Sequence, residues 1–164
     1  MKKVAIIMGS DSDLPVVEKT AFMLDELKIP YEMHVYSAHR TPEQVRSFAL
    51  SAKDNGFGVI IAAAGMSAAL GGSLAASTTL PVIGIPIGGK LSGMDSLLST
   101  VMMPSGIPAA AVAVDGAKNA AILAAEILAV YDDDIAERLA AMRERDRAAV
   151  LSKDEKISSE YSKA

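Results

Sequence analysis

The order of the secondary structure is set by residues 3–27, which read KVAIIMGSDSDLPVVEKTAFMLDEL. Residues 4–8 form an uninterrupted apolar run, which predicts a strand that is buried on both faces. A Gly/Ser/Asp segment follows at residues 9–13, and the spacing of the apolar residues from Leu14 to Leu27 then predicts an amphipathic helix. A buried strand that leads through a glycine-containing turn into a helix is typical of a parallel α/β sheet.

The same alternation continues along the chain. Four further strands are predicted, one from alternating residues at 31–36 and three from apolar runs at 59–63, 81–87 and 110–114. Thr41 and Pro42 are expected to be the N-cap and first residue of a second helix, which ends near Asn55 with Gly56 as its stop. We therefore predict an α/β fold of three layers (α/β/α), a doubly wound parallel sheet with right-handed crossovers and helices on both faces.

Length and composition limit the domain organisation and the class of protein. The 164 residues suit one hydrophobic core, and we predict a single α/β domain at residues 1–152 that includes a C-terminal helix. That helix is expected to be solvated, to pack on a neighbouring subunit and to fray after about Ser152, which leaves residues 153–164 as a polar tail. The net charge of −4 argues against a nucleic-acid partner.

Two further features of the composition concern localisation and assembly. The chain has no cysteine, and its N-terminal apolar run stops at Gly9, too early for a signal-peptide core, so a cytoplasmic protein is expected. From residue 56 to residue 114 only Lys90 and Asp95 are charged. This favours a subunit interface beside an active-site wall, and hence an oligomer. The alternative is a buried central sheet with small-residue loops.

Ligands of doubly wound sheets bind beyond the carboxyl ends of the strands, where four polar loops are expected here. The first loop precedes a helix N-terminus, which is a natural phosphate site. Ser10 and Ser12 would add hydroxyl donors, and Asp13 would accept hydrogen bonds from ribose hydroxyls. The alternative for this loop is an ordinary helix cap, since Ser and Asp are preferred capping residues.

The second loop contains His39 and Arg40. An imidazole at the carboxyl end of a strand is placed to transfer a proton, and an arginine fork suits a phosphate or carboxylate. The alternative for His39 is a hydrogen bond that braces the loop. The other histidine, His34, lies in the middle of a strand and is interpreted as structural.

The third and fourth loops offer fewer side chains. Residues 64–72 are expected to contribute backbone N–H groups and the Ser67 hydroxyl, and residues 88–96 form either a flexible lid or a disordered surface loop. The chain has no cysteine nucleophile, no His/carboxylate cluster at metal-ligand spacing and no Gly-x-Ser-x-Gly elbow. The residues thus favour proton transfer on a small phosphorylated ligand, and they do not identify the substrate.

Five segments resemble the bacterial N5-carboxyaminoimidazole ribonucleotide mutases of purine biosynthesis. They are MGSDSD at 8–13, SAHRTP at 37–42, LPVIG at 80–84, MPSGIP at 103–108 and AKNAA at 117–121. The resemblance covers residues 3–150 and implies a flavodoxin-like sheet, a homo-octamer and no metal or organic cofactor. It also implies an isomerase that moves a carboxylate from the exocyclic N5 to ring C4 of an aminoimidazole ribonucleotide.

The same resemblance implies roles for individual residues. His39 would be the catalytic residue that transfers the proton on C4. The substrate-binding residues would be Ser10, Asp13 and Arg40 at the ribose phosphate, Ser37, Gly65 and Ser67 at the reacting end, and in addition Ser12.

The third loop departs from the mutase pattern. The mutases have Gly-Gly-Ala-Ala-His-Leu-Pro-Gly, whereas residues 65–72 are GMSAALGG, with Ala69 in place of the histidine and Gly71 in place of the proline. Ser67 and Ala69 are more similar to the sister aminoimidazole ribonucleotide carboxylases, which use free CO2. The hypotheses are therefore a mutase, a carboxylase of this kind, or a non-catalytic nucleotide-binding module of the same fold.

Overall fold

Five parallel strands form the centre of the fold in the computed structural model, which describes residues 1–162. The strands are β1 (Lys3–Met8), β2 (Tyr31–Val35), β3 (Phe57–Ala64), β4 (Val82–Pro86) and β5 (Ala110–Ala111). Their order across the sheet is β2-β1-β3-β4-β5, and every neighbouring pair is parallel. The chain reverses its direction across the sheet between β1 and β3, which makes that boundary the topological switch point where ligands bind in such folds.

Helices cover both faces of the sheet. They are α1 (Leu14–Glu26), α2 (Pro42–Ser51), α3 (Leu70–Ala75), α4 (Met94–Val101), α5 (Ala117–Ala129) and α6 (Asp133–Tyr161). One face packs against α1 and α5, with α6 on α5, and the other packs against α2 and α3, with α4 over β4. The predicted three-layer α/β/α fold with an additional C-terminal helix is confirmed.

Small side chains let these layers approach closely. Ala120, Ala121 and Ala124 of α5 are fully buried against the sheet and α1. At Gly84 in β4 the approach is so close that a Cβ would lie 2.2 Å from Cγ2 of Thr100 in α4. Glycine at this position is therefore a packing requirement, since real Cβ atoms do not come so near another carbon.

Several element boundaries differ from those predicted. β5 pairs regularly over two residues instead of 110–114. The N–H groups of Val112 and Asp115 still donate to the carbonyls of Gly84 and Pro86 in β4, but the segment is no longer a regular strand and reaches a φ of 56° at Asp115. α2 ends at Ser51, four residues early, and turns lead to Gly56, whose φ of 86° suits glycine. α3 and α4 both begin within segments expected to be loops, 64–72 and 88–96.

The C-terminal helix is longer than predicted. Ile135, Leu139 and Met142 are buried, and the side chains of Arg143 and Arg145 pair with Glu126 of α5 and Glu26 of α1. Fraying near Ser152 is wrong, because α6 continues to Tyr161. The segment contains neither glycine nor proline, so nothing in it interrupts a helix. Residues 163–164 of the expected tail lie outside the described residues.

Candidate active site

A cleft of about 590 Å³ opens at the carboxyl edge of the sheet, beside the switch point between β1 and β3. It is lined by the loops that follow β1, β2, β3 and β4. All eight candidate residues lie around it: Ser10, Ser12, Asp13, Ser37, His39, Arg40, Gly65 and Ser67. The strands thus bring together side chains that are up to 57 residues apart in sequence, from Ser10 to Ser67.

The loop after β1 forms a one-turn 3-10 helix, Asp11–Asp13, before α1 begins. Ser10 is its N-cap: the Ser10 Oγ accepts a hydrogen bond from the Ser12 N–H at 3.3 Å. The Ser12 hydroxyl also donates to the Ser10 Oγ at 2.8 Å. The capping alternative is therefore correct for Ser10, and the two serines form one polar pair on the wall of the cleft.

Asp13 stands at the end of this turn and is partly shielded from water. Burial raises the pKa of the Asp13 carboxyl above its ordinary value of 3.8, although hydrogen bonds from Ser10 and Ser12 oppose that shift. A carboxylate that has lost part of its hydration gains more from a ligand hydroxyl than a fully solvated one does. This environment suits an acceptor for sugar hydroxyl groups.

The loop after β2 is held by a compact hydrogen-bond network between Ser37 and Thr41. The Thr41 hydroxyl accepts from the Ser37 N–H at 2.8 Å and donates to the Ser37 carbonyl at 3.1 Å. The Ser37 hydroxyl in turn accepts from the Arg40 N–H at 3.2 Å. Thr41 precedes α2 as expected, but its side chain does not cap the helix, because the hydroxyl is committed to Ser37.

His39 lies at the exposed tip of this network. Its imidazole makes no hydrogen bond or ion pair with any other side chain or backbone group of residues 1–162. The alternative in which His39 braces the loop is therefore wrong, since Ser37 and Thr41 do so. His39 is exposed and lines the cleft, so its imidazole is accessible to a ligand bound there.

Arg40 connects its own loop, after β2, with the loop after β1. Its Nη2 donates to the carbonyl of Gly9 at 3.1 Å, which places the guanidinium beside the serine pair of the β1 loop. Arginine has five N–H donors, so this one contact leaves most of them for an anion. Arg40 is the only lysine or arginine among the residues that line the described cleft.

The loop after β3 is a tight turn. Met66 has a φ of 52°, and the N–H groups of Ala68 and Ala69 donate to the carbonyls of Met66 and Ser67. These two amides are used within the turn, so they are not the free donors that the sequence suggested. The Ser67 side chain remains exposed, and Gly65 leaves room beside Ile87, whose Cβ would be 3.6 Å from an added methyl group.

Residues that the sequence did not indicate fix the loop after β4. The Asp115 Oδ1 accepts from the Gly88 N–H at 2.8 Å. The fully buried Ser96 hydroxyl lies 2.8 Å from the Ile87 carbonyl and 3.0 Å from the Gly93 carbonyl. The expected loop at 88–96 is thus shorter, because its last three residues are the first turn of α4. An Asp-Gly turn at residue 115 was the one signal available in the sequence.

His34 lies outside the cleft. Its ring stacks on Tyr36 with centroids 5.2 Å apart, and its Nε2 is 3.6 Å from Glu32. This position agrees with its interpretation as a structural residue. Within residues 1–162 we find no group of three His, Asp or Glu side chains placed for a metal ion. None of the helices there has the length and apolar character needed to cross a bilayer.

Comparison with known proteins adds independent information. The AIR carboxylase family model matches residues 3–149. A relative named N5-carboxyaminoimidazole ribonucleotide mutase from Pyrococcus abyssi is 57% identical over 145 residues, which cover 88% of this chain and 83% of the relative. A relative of the same name from Thermotoga maritima is 48% identical and covers 96% of this chain and 92% of the relative.

The fold gives the same assignment. The crystal structure of PurE from Treponema denticola matches with a TM-score of 0.84 and 34% sequence identity, over 93% of this chain and 96% of that one. The family model, the sequence relatives and the solved structure each cover nearly all of the residues that build the sheet and the cleft. The chain therefore belongs to the AIR carboxylase family.

Proposed function

We propose that this chain is an N5-carboxyaminoimidazole ribonucleotide mutase, an isomerase of purine biosynthesis that forms 4-carboxy-5-aminoimidazole ribonucleotide. The family assignment and the names of its relatives support the reaction class. The observation that carries the proposal is an unpartnered imidazole, His39, in the same cleft as Arg40 and Asp13. Together these residues offer a proton carrier, an anion partner and an acceptor for sugar hydroxyls.

The isomerisation needs one group that both gives and takes a proton. When the bond between N5 and the carboxylate breaks, its electron pair stays on N5, which takes a proton from the imidazolium of His39, and CO2 is released. Ring C4 then attacks the CO2 carbon, and the neutral imidazole removes the C4 proton. His39 ends in the protonation state in which it began. An imidazole suits this exchange because it changes its charge near neutral pH.

The remaining candidate residues hold the ribonucleotide in place. Arg40, Ser10 and Ser12 are proposed to bind the phosphate, since the Arg40 guanidinium lies beside the serine pair. Asp13 accepts from the ribose hydroxyls. Ser37, Gly65 and Ser67 lie around the reacting end of the substrate.

The cleft has a second role during the reaction. CO2 released at N5 must meet C4 before it escapes into water, and a cleft that retains it converts an encounter in solution into an intramolecular step. Such confinement contributes up to about 7–11 kcal/mol in well-oriented cases. We propose no metal or organic cofactor for this chemistry, since proton transfer and confinement account for both bond changes.

A second candidate function is supported by one residue. Ala69 lines the cleft at the position where the mutase motif has a histidine. Without that imidazole the site has one proton carrier fewer, which suits an aminoimidazole ribonucleotide carboxylase that takes free CO2. We place this carboxylase second, because the relatives at 48–57% identity reported above have the mutase name.

An isotope experiment separates the two reactions. The purified protein is supplied with unlabelled carbamate ribonucleotide in buffer that contains ¹³C-bicarbonate. A mutase forms 4-carboxy-5-aminoimidazole ribonucleotide without ¹³C, because the original carboxylate is recaptured in the cleft. Incorporation of ¹³C, with equal activity on 5-aminoimidazole ribonucleotide plus bicarbonate, would contradict the mutase and establish the carboxylase.

We also propose that the protein acts as a cytoplasmic homo-oligomer, an octamer as in the resembling family. Met66, Leu91, Met94 and Met102 of the charge-poor stretch are at least half exposed, with Met102 at 76%. Exposed apolar side chains at this density are typical of a subunit interface. Sedimentation velocity should give a mass of eight chains, and a monomer at micromolar concentration would contradict the proposal.

A further inference from the structure

The cleft has too little positive charge for its proposed ligand. A carboxylated ribonucleotide carries a phosphate and a carboxylate, at opposite ends of the molecule. Among the residues that line the cleft, Arg40 is the only lysine or arginine, and Asp13 adds a negative charge. His39 also lines the cleft, but in the proposed reaction it gives up its proton, and with it its positive charge, when the carboxylate leaves N5. Carboxylates and phosphates in protein sites are normally paired with cations or several N–H donors. A second cation is therefore expected near the end of the cleft that Arg40 does not reach.

The order of the strands indicates where that end lies. Arg40 follows β2 and reaches across to Gly9 after β1. The loop that starts at Gly88 follows β4, which is two strands beyond β1 and hence about 10 Å away. An extended ligand that is anchored at Arg40 and lies along the row of loops thus has its far end beside Gly88 and Gly89, which line the cleft.

One cation is available there. Lys90 follows Gly89 directly, and it is the only basic residue between residues 56 and 114. Its side chain is exposed and forms no ion pair or hydrogen bond with any group of residues 1–162. The nearest acidic residues of the loop and its base, Asp95 and Asp115, are not paired with it. The flexible stem of a lysine can carry its ammonium group over the rim of the cleft.

The base of this loop is fixed, although its tip is exposed. Asp115 holds the Gly88 N–H, and the buried Ser96 hydroxyl connects the Ile87 and Gly93 carbonyls, which lie at the two ends of the loop. A Cβ on Gly93 would also meet Val114 at 2.5 Å, so this end of the loop is closely packed. Lys90 is therefore presented from an anchored turn of a few residues, which lowers the entropic cost of a contact with the ligand.

We propose that Lys90 binds the transferred carboxylate, on N5 of the substrate and on C4 of the product, as a specificity residue that distinguishes carboxylated from uncarboxylated ribonucleotide. This inference rests on the proposed function, because it takes its ligand from that reaction. The contact is a charge-assisted hydrogen bond between the ammonium group and the carboxylate. It is made in a partly open cleft, so its contribution falls as the salt concentration rises.

Calorimetric titration with two ligands tests the proposal. The ligands are 4-carboxy-5-aminoimidazole ribonucleotide and 5-aminoimidazole ribonucleotide, which differ by the carboxylate alone. Lys90→Met removes the charge but keeps most of the stem, Lys90→Arg keeps the charge, and Lys53→Met is the matched control. Lys53 is exposed in the turns after α2, which lead into the opposite, amino-terminal edge of the sheet.

We expect Lys90→Met to weaken binding of the carboxylated ligand about tenfold and to leave binding of the other ligand within twofold. Lys90→Arg should bind both ligands with a Kd within threefold of that of the unmodified protein. Lys53→Met should have the same Kd as the unmodified protein for both ligands. A change of less than threefold for the carboxylated ligand, or equal losses for both, would overturn the role of Lys90. If the unmodified protein binds neither ligand, the proposed function fails and the inference fails with it.

Discussion

Replacing Thr41 with valine tests whether the Ser37–Thr41 network positions His39. Valine has nearly the shape of threonine but lacks the hydroxyl, and both are β-branched residues that tolerate the position before Pro42. The change therefore removes the 2.8 Å bond from the Ser37 N–H and the 3.1 Å bond to the Ser37 carbonyl. The helix cap is unaffected, because the Thr41 side chain does not cap α2.

The size of the effect follows from what each Ser37 group loses. The Ser37 carbonyl keeps a second partner, the Thr41 N–H at 2.8 Å, whereas the Ser37 N–H loses its partner in a partly buried position. One unsatisfied donor of this kind costs about 1–2 kcal/mol. If that energy is lost from the loop conformation that places His39 in the cleft, the equilibrium constant for forming this conformation falls by a factor of about 5–30.

The assay is kcat/KM for the carbamate ribonucleotide, together with hydrogen exchange of the Ser37 amide. We expect Thr41→Val to lower kcat/KM about 5- to 30-fold and to speed exchange at Ser37 by a similar factor. Thr41→Ser keeps the hydroxyl and serves as the control, with both values near those of the unmodified protein. Equal kcat/KM for the Val and Ser variants would refute the argument that this network positions the imidazole.

Three further substitutions give independent tests. Gly84→Ala should lower the free energy of unfolding by about 1–3 kcal/mol in urea titrations, because the added methyl would overlap Thr100; unchanged stability would contradict the packing described. Asp13→Asn should raise the melting temperature at pH 7 while weakening ligand binding. Because burial raises the pKa of Asp13, the unmodified protein loses stability as pH rises from 3.8 through that pKa. The melting temperatures of the two proteins should therefore converge below pH 3.8, and a difference in melting temperature that does not change with pH would contradict this. Asp115→Gly keeps the left-handed backbone but removes the acceptor of the Gly88 N–H, and it should raise KM about two- to tenfold with kcat little changed. Asp115→Asn keeps an acceptor and should restore KM, and a failure to do so would argue against the hydrogen bond.

Local patterns in the sequence predicted most of the fold. The apolar runs that became β1, β3 and β4 are buried on both faces, so their hydrophobicity identifies them without tertiary information. β5 was predicted less well, because the segment after Ala111 stays hydrogen-bonded to β4 without forming a regular strand, which its apolar residues do not indicate. α3 was missed because Leu70–Ala75 is a six-residue helix with two glycines, which is stabilised by packing and not by its own propensity.

The candidate site shows the same division between local and tertiary information. His39 and Arg40 were identifiable because their loop follows a strand, and parallel strands bring their carboxyl ends to one edge. The role of Asp115 was not identifiable, since it depends on a partner brought close by folding, and Thr41 was expected to cap α2 instead of holding Ser37. Asp115 lies 27 residues from Gly88, and no periodicity in the sequence relates them.

The central claim is that His39 transfers the proton in this cleft, and His39→Asn tests it most directly. Turnover of the carbamate ribonucleotide and the Kd of 4-carboxy-5-aminoimidazole ribonucleotide are measured on the same preparation. We predict that turnover falls about 10²- to 10⁴-fold, while the Kd stays within about threefold. Turnover within a few-fold of the unmodified protein would contradict the claim.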